Sequence, residues 1–528
     1  MIVDVATPGS LDVPPGAVLV VGSGAAGIAL AERLADAGRF VVLLESGDDN
    51  TGATRAASHD DLNTGDSTAL PYRVAEGRTR TLGGTTELWH GQCMRLHDVD
   101  LEDRAWVSGP GWPLGGPDLA PWYDHAETWL GVSGNGYGPE RWAEHPSLPP
   151  LDWDAGRLLH DFTEYMPDPM VGRAHRPVLA AADRIRVVLH ATATQVVVAD
   201  GAVTGVEIAT PDGERRTVAA TDVVLAAGGL ENARLLQLSD PEGVGVGDGR
   251  WHTGRYLQDH PIIRTAEVLP RDHRVLQDRY IVLHKGKRRL FPKVRLAPEV
   301  QREHSLLDAT AIFVHDHDSP ALDAARRLVL AARSRRRPES AGRDLLAAAK
   351  APVPVVRDTY RRYARGLASG TRPSHVWLQL WIEQAPDPER RILLGNGLDR
   401  FGQRRAEVRW SATDQELETS RRMTRWIAED LERLGVGSVR ELPAMTDDDA
   451  WRASVVDAFH PAGTTRMSER PDDGVVDTDL QVHGARGLHV VGGSVFPTSG
   501  YANPTLTIVA LALRLADHLA TRNTASIS

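Results

Sequence analysis

The sequence predicts an α/β protein in which a doubly wound, mostly parallel sheet is joined to a discontinuous second domain built on a mostly antiparallel sheet plus helices. Three observations lead there. At 528 residues the chain exceeds the roughly 250 to 300 residues at which a single core stops growing, so two domains are expected. A strand, Gly-rich turn and helix pattern recurs around residues 17–38, 222–239 and 488–520, and short wholly apolar strands feeding helices belong to a parallel sheet covered on both faces. Residues 373–385, PSHVWLQLWIEQA, alternate instead, as an antiparallel strand with one solvated or ligand-facing side does.

In chain order, a Pro-rich leader precedes AVLVVG at 17–22, which reads as a buried strand, and Ala25 to Gly38 read as a helix with small residues facing a sheet. The next strand, FVVLLESG, ends on Glu45. Residues 98–160 are rich in Trp, Pro and Gly. Residues 186–199 and 202–209 read as a strand pair, with Asp200-Gly201 between them as a hairpin signal. Residues 321–373 are helical in pattern and carry 13 Lys or Arg against 4 Asp or Glu; a solvated excursion is expected, with a lid or oligomer contact as the alternatives. Further strands are expected at 390–394 and 406–410.

Composition narrows the function classes. Hydrophobic residues make up 41% and charged ones 25%, no apolar run of about 18 residues occurs, and the N-terminus lacks a basic region or twin Arg before an apolar stretch, so a cytoplasmic protein with no membrane partner is expected. The single cysteine, Cys93, excludes an internal disulfide and any CxxC or CxxCH metal or haem motif. A net charge of -11 gives no reason to expect nucleic acid. A homo-oligomer is left open. No H-x-H or HExxH spacing supports a metal, the serines lack a GxSxG elbow, and no metal is expected. Asp472, Asp473, Asp477 and Asp479 read as a solvated turn, and His252, His260 and His483 as structural.

The chemistry begins at Gly22-Ser23-Gly24-Ala25-Ala26-Gly27. A GxGxxG is weak alone, but this one follows a buried strand and opens a helix, the setting of a Rossmann-type dinucleotide site. Gly22 permits the tight turn, Gly24 lets backbone approach the pyrophosphate, and Gly27 lets helix and strand pack closely. Glu45, followed by Ser46, ends the second strand and can accept from both ribose hydroxyls, which argues against a 2′-phosphate. Nothing in this loop separates FAD from NAD.

Other segments do. RTRTLGGTTELWHGQ at 78–92, AFHPAGTTRM at 458–467 and GLHVVGGSVFPTSGYANPTL at 487–506, with AAGGLENARLLQLS, GRYLQDHP at 254–261 and EQAPDPERRILLGNG at 383–397, resemble the glucose-methanol-choline (GMC) oxidoreductase family, most closely its pyranose oxidase and bacterial C-glycoside 3-oxidase branch. The resemblance implies a glutathione-reductase-like FAD-binding domain, here 1–97, 186–265 and 445–528, and a substrate domain of 98–185 and 266–444. It adds Gly83, Gly84, Thr85, His90, Gly228, Gly493, Ser494, Asn503, Pro504 and Thr505 to the cofactor contacts. Asn503-Pro504-Thr505 opens the last helix, whose positive end would stabilise charge on the reduced flavin. His460 is implied as the base that takes the alcohol proton, and Asn503 as its uncharged partner, with an ordinary helix N-cap as the other reading.

Fungal pyranose oxidases attach their flavin through a histidine whose place is taken here by Leu88 in Thr86-Glu87-Leu88-Trp89, so FAD is expected to be non-covalent, with His90 in contact with the flavin or attached to it. The expected reaction oxidises C2 or C3 of a pyranose sugar or glycoside, a C-glycoside included, to the keto sugar, with reoxidation by O2 to give H2O2 or by a quinone-like acceptor. Choline, a sterol or an aliphatic alcohol is the alternative substrate; only 5% aromatic residues argue against a large sterol pocket. A non-catalytic flavin-binding or electron-transfer subunit is the alternative of a different class.

Overall fold

A computed structural model describes residues 1–49, 59–317, 324, 328, 341–350 and 372–525. In it the apolar runs become one six-stranded sheet, ordered Ile2–Asp4, Ile185–Leu189, Val41–Leu44, Val18–Val21, Val223–Leu225, Leu488–Val490, with every pairing parallel. Val18–Val21, Val41–Leu44 and Val223–Leu225 are buried at each position, because helices cover both faces of a parallel sheet and apolar side chains are needed on each. The helices Ala25–Asp36 and Thr505–Ala525 pack on each other, and Arg33 Nε reaches Asp517 Oδ1 at 2.6 Å. The first helix stops at Asp36, two residues before the expected Gly38, where φ of +84° turns the chain.

The run 186–199 is not one strand. It breaks at His190, which takes φ of +59°. Ile185–Leu189 enters the parallel sheet, while Thr192–Ala199 pairs antiparallel with Ala202–Ala209. The break is held by His190 N–H donating to the Gly47 carbonyl at 3.1 Å and by its Nδ1, 2.6 Å from Asp4 Oδ2. The run RVVLHATATQVVVA keeps strand-forming residues on both sides of His190 and so carries no mark of a change of sheet. The hairpin itself turns at Asp200 and Gly201, both with positive φ, as an Asp-Gly loop requires.

A second, antiparallel sheet runs Gly437–Glu441, Ile262–Pro270, His375–Ile382, Ala309–Asp316, Arg288–Leu296, Leu158–Tyr165, Gln92–Cys93, with Leu283–Lys285 beside Arg288–Leu296. The alternation at 373–385 resolves into two faces. Val376, Leu378, Leu380 and Ile382 join a buried core that includes Leu417, Met423, Ile427 and Leu431 of the helix Asp414–Arg433. Trp377, Gln379 and Trp381 point the other way. The expected strands at 390–394 and 406–410 are Arg391–Leu398 and Arg404–Trp410, and the latter also pairs, in parallel, with Gly65–Ala69.

The Trp-, Pro- and Gly-rich stretch holds a helix, Gly116–Leu130, which Pro121 does not break and which ends at Gly131 with φ of +69°. Apart from Ala341–Lys350, a helix, the basic 321–373 segment lies almost wholly outside the described residues. No helix among the described residues is long and apolar enough to cross a membrane.

Candidate active site

The glycines of the first loop divide their tasks by what a side chain would meet. A Cβ on Gly22, already at φ of +102°, would sit 2.6 Å from the Ala226 carbonyl oxygen, and one on Gly27 would sit 2.0 Å from that of Gly22. Both are packing requirements. A Cβ on Gly24 would meet nothing within 4 Å, so the backbone there faces open space at the N-terminus of Ala25–Asp36, where the helix offers N–H groups to an anion. Ala25 and Ala26 form the first turn. The second Gly-rich segment closes on the same spot: Gly83 N–H donates to the Ser23 carbonyl at 2.9 Å, and a Cβ on Gly84 would lie 3.2 Å from Gly24 Cα. Gly228, with φ of +87° and nothing within 4 Å of its Cβ position, opens a third face from the helix Gly228–Leu238. Three backbone cradles meeting around free space fit a dinucleotide such as FAD.

Several expected contact residues keep their side chains inside the protein. Glu45 is buried; its Oε2 accepts from Ser23 Oγ at 2.5 Å and Ser23 N–H at 3.2 Å, and Oε1 accepts from Gly47 N–H at 2.8 Å. Burial outweighs these bonds and raises its pKa. Ser46 Oγ lies 2.8 Å from Thr192 Oγ1, and Ser494 Oγ accepts from Asn232 Nδ2 at 3.0 Å. Gly493 is buried beside the Pro461 carbonyl. Thr85, Leu88 and His90 are exposed.

His460 sits on a turn organised by a residue that sequence reading missed. The fully buried Asp259 accepts backbone N–H bonds from His260 at 2.7 Å, Ala458 at 3.0 Å and His460 at 3.1 Å, while its Oδ2 accepts from the Tyr72 hydroxyl at 2.7 Å. These bonds pin Phe459, between Ala458 and His460, at φ of +61°. Burial, then the neighbouring Asp457, push the Asp259 carboxyl up to about 7. The His460 ring faces His260, with their Nδ1 atoms 3.0 Å apart. Burial, then the charge on Lys293, hold His460 down at about 4. His260 is lowered well below its ordinary value by burial, His460 and Lys293. Two neutral imidazoles result, so one Nδ1 donates and the other accepts. His260 therefore belongs to the site; its neighbour Asp259 and the turn around it were the only signal, and no periodicity marks either.

The final helix begins at Thr505, one residue later than expected, with Pro504 just before it and its carbonyl accepting from Ile508 N–H at 2.9 Å. Asn503 is 8% exposed, and its Oδ1 has no hydrogen-bond partner among the described residues. The N-cap reading thus lacks its bond, and a buried acceptor is left for a ligand. The preceding Gly500 carbonyl meets the His260 ring, which brings the Asn503 segment to the histidine pair.

The sequence does hold one His-x-His spacing, His315-Asp316-His317, which is not part of the candidate metal group found among the described residues. Among the described residues the group whose atoms could surround a cation is His97, Asp100 and Asp308, all within 4.8 Å. Arg104 Nη1 stands 3.8 Å from Asp100 and Arg295 also faces the cluster, so its charge is met by guanidinium groups.

Comparisons with known proteins bear on the family and the fold. Two family models described as GMC oxidoreductase match residues 175–262 and 386–512, and an NAD(P)-binding Rossmann-like domain matches 20–75. The chain is 27% identical to paromamine 6′-oxidase of Streptomyces fradiae, over 97% of this chain and 93% of that one. It is 48% identical to a C-glycoside 3-oxidase of Microbacterium trichothecenolyticum over 13% of this chain and 14% of that one. Formate oxidase superimposes with a TM-score of 0.57 at 19% identity, covering 96% of this chain and 98% of that one. The last of these bears on fold alone.

Proposed function

We propose that this chain, which belongs to the GMC oxidoreductase family and binds FAD, oxidises a secondary hydroxyl, at C2 or C3, of a pyranose sugar or glycoside to the keto sugar. The observation that carries the reading is the buried neutral pair His460 and His260 beside an unpaired Asn503 Oδ1. Similarity to an enzyme named for C-glycosides supports a sugar substrate. FAD supplies the hydride acceptor when bound, and Gly22, Gly24, Gly27, Gly83, Gly84, Gly228 and the Asn503-Pro504-Thr505 segment would hold it.

The chain's own part is to move one proton. His460 donates from Nδ1 to His260 and keeps Nε2 as the acceptor for the alcohol proton, which loosens the carbinol C–H bond. Asn503 orients the substrate oxygen without titrating. Reoxidation by O2 or a quinone-like acceptor closes the cycle. Anaerobic bleaching of the flavin by monosaccharides, O-glycosides and C-glycosides, with the keto product identified by NMR, tests the reading; bleaching by choline or a sterol alone would overturn it.

Two further results are expected. With His460 near 4, the base is unprotonated at neutral pH, so the rate of flavin reduction should be flat from pH 7 to about 5 and fall as pH drops through about 4, measured by stopped-flow absorbance. Leu88 stands where a covalent link would need a histidine, so acid precipitation should release the yellow colour to the supernatant; colour in the pellet would point to attachment, with His90 the nearest histidine in sequence.

A further inference from the structure

The polar face of the antiparallel sheet carries a charge that the proton transfer above does not use. Lys293 is 3% exposed, and strand register sets it opposite Asp161. Asp161 is already engaged: Oδ2 accepts from the Tyr501 hydroxyl and lies 2.9 Å from His97 Nε2, and Oδ1 accepts from Phe162 N–H at 3.0 Å. Among the described residues the Lys293 ammonium has no hydrogen-bond acceptor. It rests between aromatic faces, 5.9 Å from the Trp381 ring centre and 5.7 Å from that of Tyr501.

Those rings place it in the site. Trp381 is also 5.9 Å from the His460 ring, and Tyr501 precedes Asn503 by two residues. Burial holds Lys293 at about 8, with Asp161 opposing, so it is charged at neutral pH. The Lys293 stem is buried while its Nζ is not among the enclosed unpartnered atoms, so the ammonium faces the open space of the site, where a ligand oxygen can accept from it. Asn503 Oδ1, two residues past Tyr501, lacks a donor among the described residues. A donor and an acceptor left open around one base match adjacent hydroxyls, each of which both donates and accepts. The same positive charge, with Arg295 two residues along the same face, repels a cationic substrate.

We propose that Lys293 is a substrate-recognition residue that donates to an oxygen on the carbon next to the reacting carbinol, so that the site selects uncharged vicinal polyols over isolated alcohols and over ammonium-bearing ones. This rests on the sugar-oxidation reading and names what that site selects.

The test uses flavin-loaded wild type, Lys293→Met and Lys293→Arg, with methyl β-glucoside, cyclohexanol and glucosamine as probes of anaerobic flavin reduction. Wild type should prefer the glucoside to both others. In Lys293→Met the glucoside rate constant kcat/KM should fall about 10- to 100-fold, cyclohexanol should fall far less, and the bias against glucosamine should narrow, with Arg295 still in place. Its low-pH limb should also move above pH 4, because the charge that depresses His460 is gone while His260 and Asp259 remain; the substrate ratios, which a purely structural lysine would leave unchanged, decide the assignment. Lys293→Arg should keep the bias against glucosamine, which decides the matter if the Met variant fails to hold flavin. An unchanged glucoside to cyclohexanol ratio in Lys293→Met, or loss of the bias in Lys293→Arg, overturns the assignment. Reduction of wild type by cyclohexanol and by no sugar overturns the sugar reading instead.

Discussion

Replacing His460 by alanine is expected to leave the yellow flavin bound and to slow its anaerobic reduction about 100-fold or more. The two effects separate because the backbone and the side chain of this residue have different tasks. Its N–H donates to Asp259, a bond that alanine keeps, so the turn through Phe459 survives. Its ring, next to His260, is the proposed base, and alanine removes it. Replacing His260 by alanine should slow reduction less, since the base remains but loses the partner that fixes its ring. Flavin reduction in His460→Ala at the wild-type rate would remove the assignment of base.

The Gly-rich loop yields the other large effect, as a contrast between two glycines three residues apart. Gly24→Val should fold and be colourless. Gly24 has φ of -72° and ψ of -173°, ordinary extended backbone, and its Cβ position is clear of protein atoms; the valine would fill the space left for the pyrophosphate. Gly27→Ala should instead damage the fold, by about 3 kcal/mol, because its Cβ would stand 2.0 Å from the Gly22 oxygen and force helix and strand apart. Absorbance at 450 nm per chain and a thermal melt distinguish the two. A yellow Gly24→Val protein would mean that the cofactor does not pass over this residue.

Much of this was legible in the sequence for a physical reason: wholly apolar strands, a Gly-rich turn and a small-residue helix can only be read as one buried parallel unit. The motif around His460 and Asn503 was legible by resemblance. What was not legible shares a different cause. Lys293 and Arg295 alternate with Val294 and Leu296, a pattern that reads as a solvent-facing strand edge, and only the three-dimensional closure of the site over that face buries the lysine. His260 looked structural because nothing local distinguishes a histidine that supports another from one that fills a core. Ser23, Ser46 and Ser494 were expected at the cofactor by position, yet their hydroxyls satisfy buried neighbours, so any contact from them comes through backbone.

The order of strands in the parallel sheet sets a schedule for biosynthesis. Val223–Leu225 has Val18–Val21 on one side and Leu488–Val490 on the other, and the helix laid against Ala25–Asp36 is Thr505–Ala525. On the ribosome, one edge of Val223–Leu225 therefore waits without its neighbour while more than 260 further residues are made. Such an edge and the bare face of the first helix are sticky surfaces. The nascent chain is a natural client for chaperones, and a polypeptide cut short before residue 488 should be recovered as aggregate rather than as a smaller folded protein.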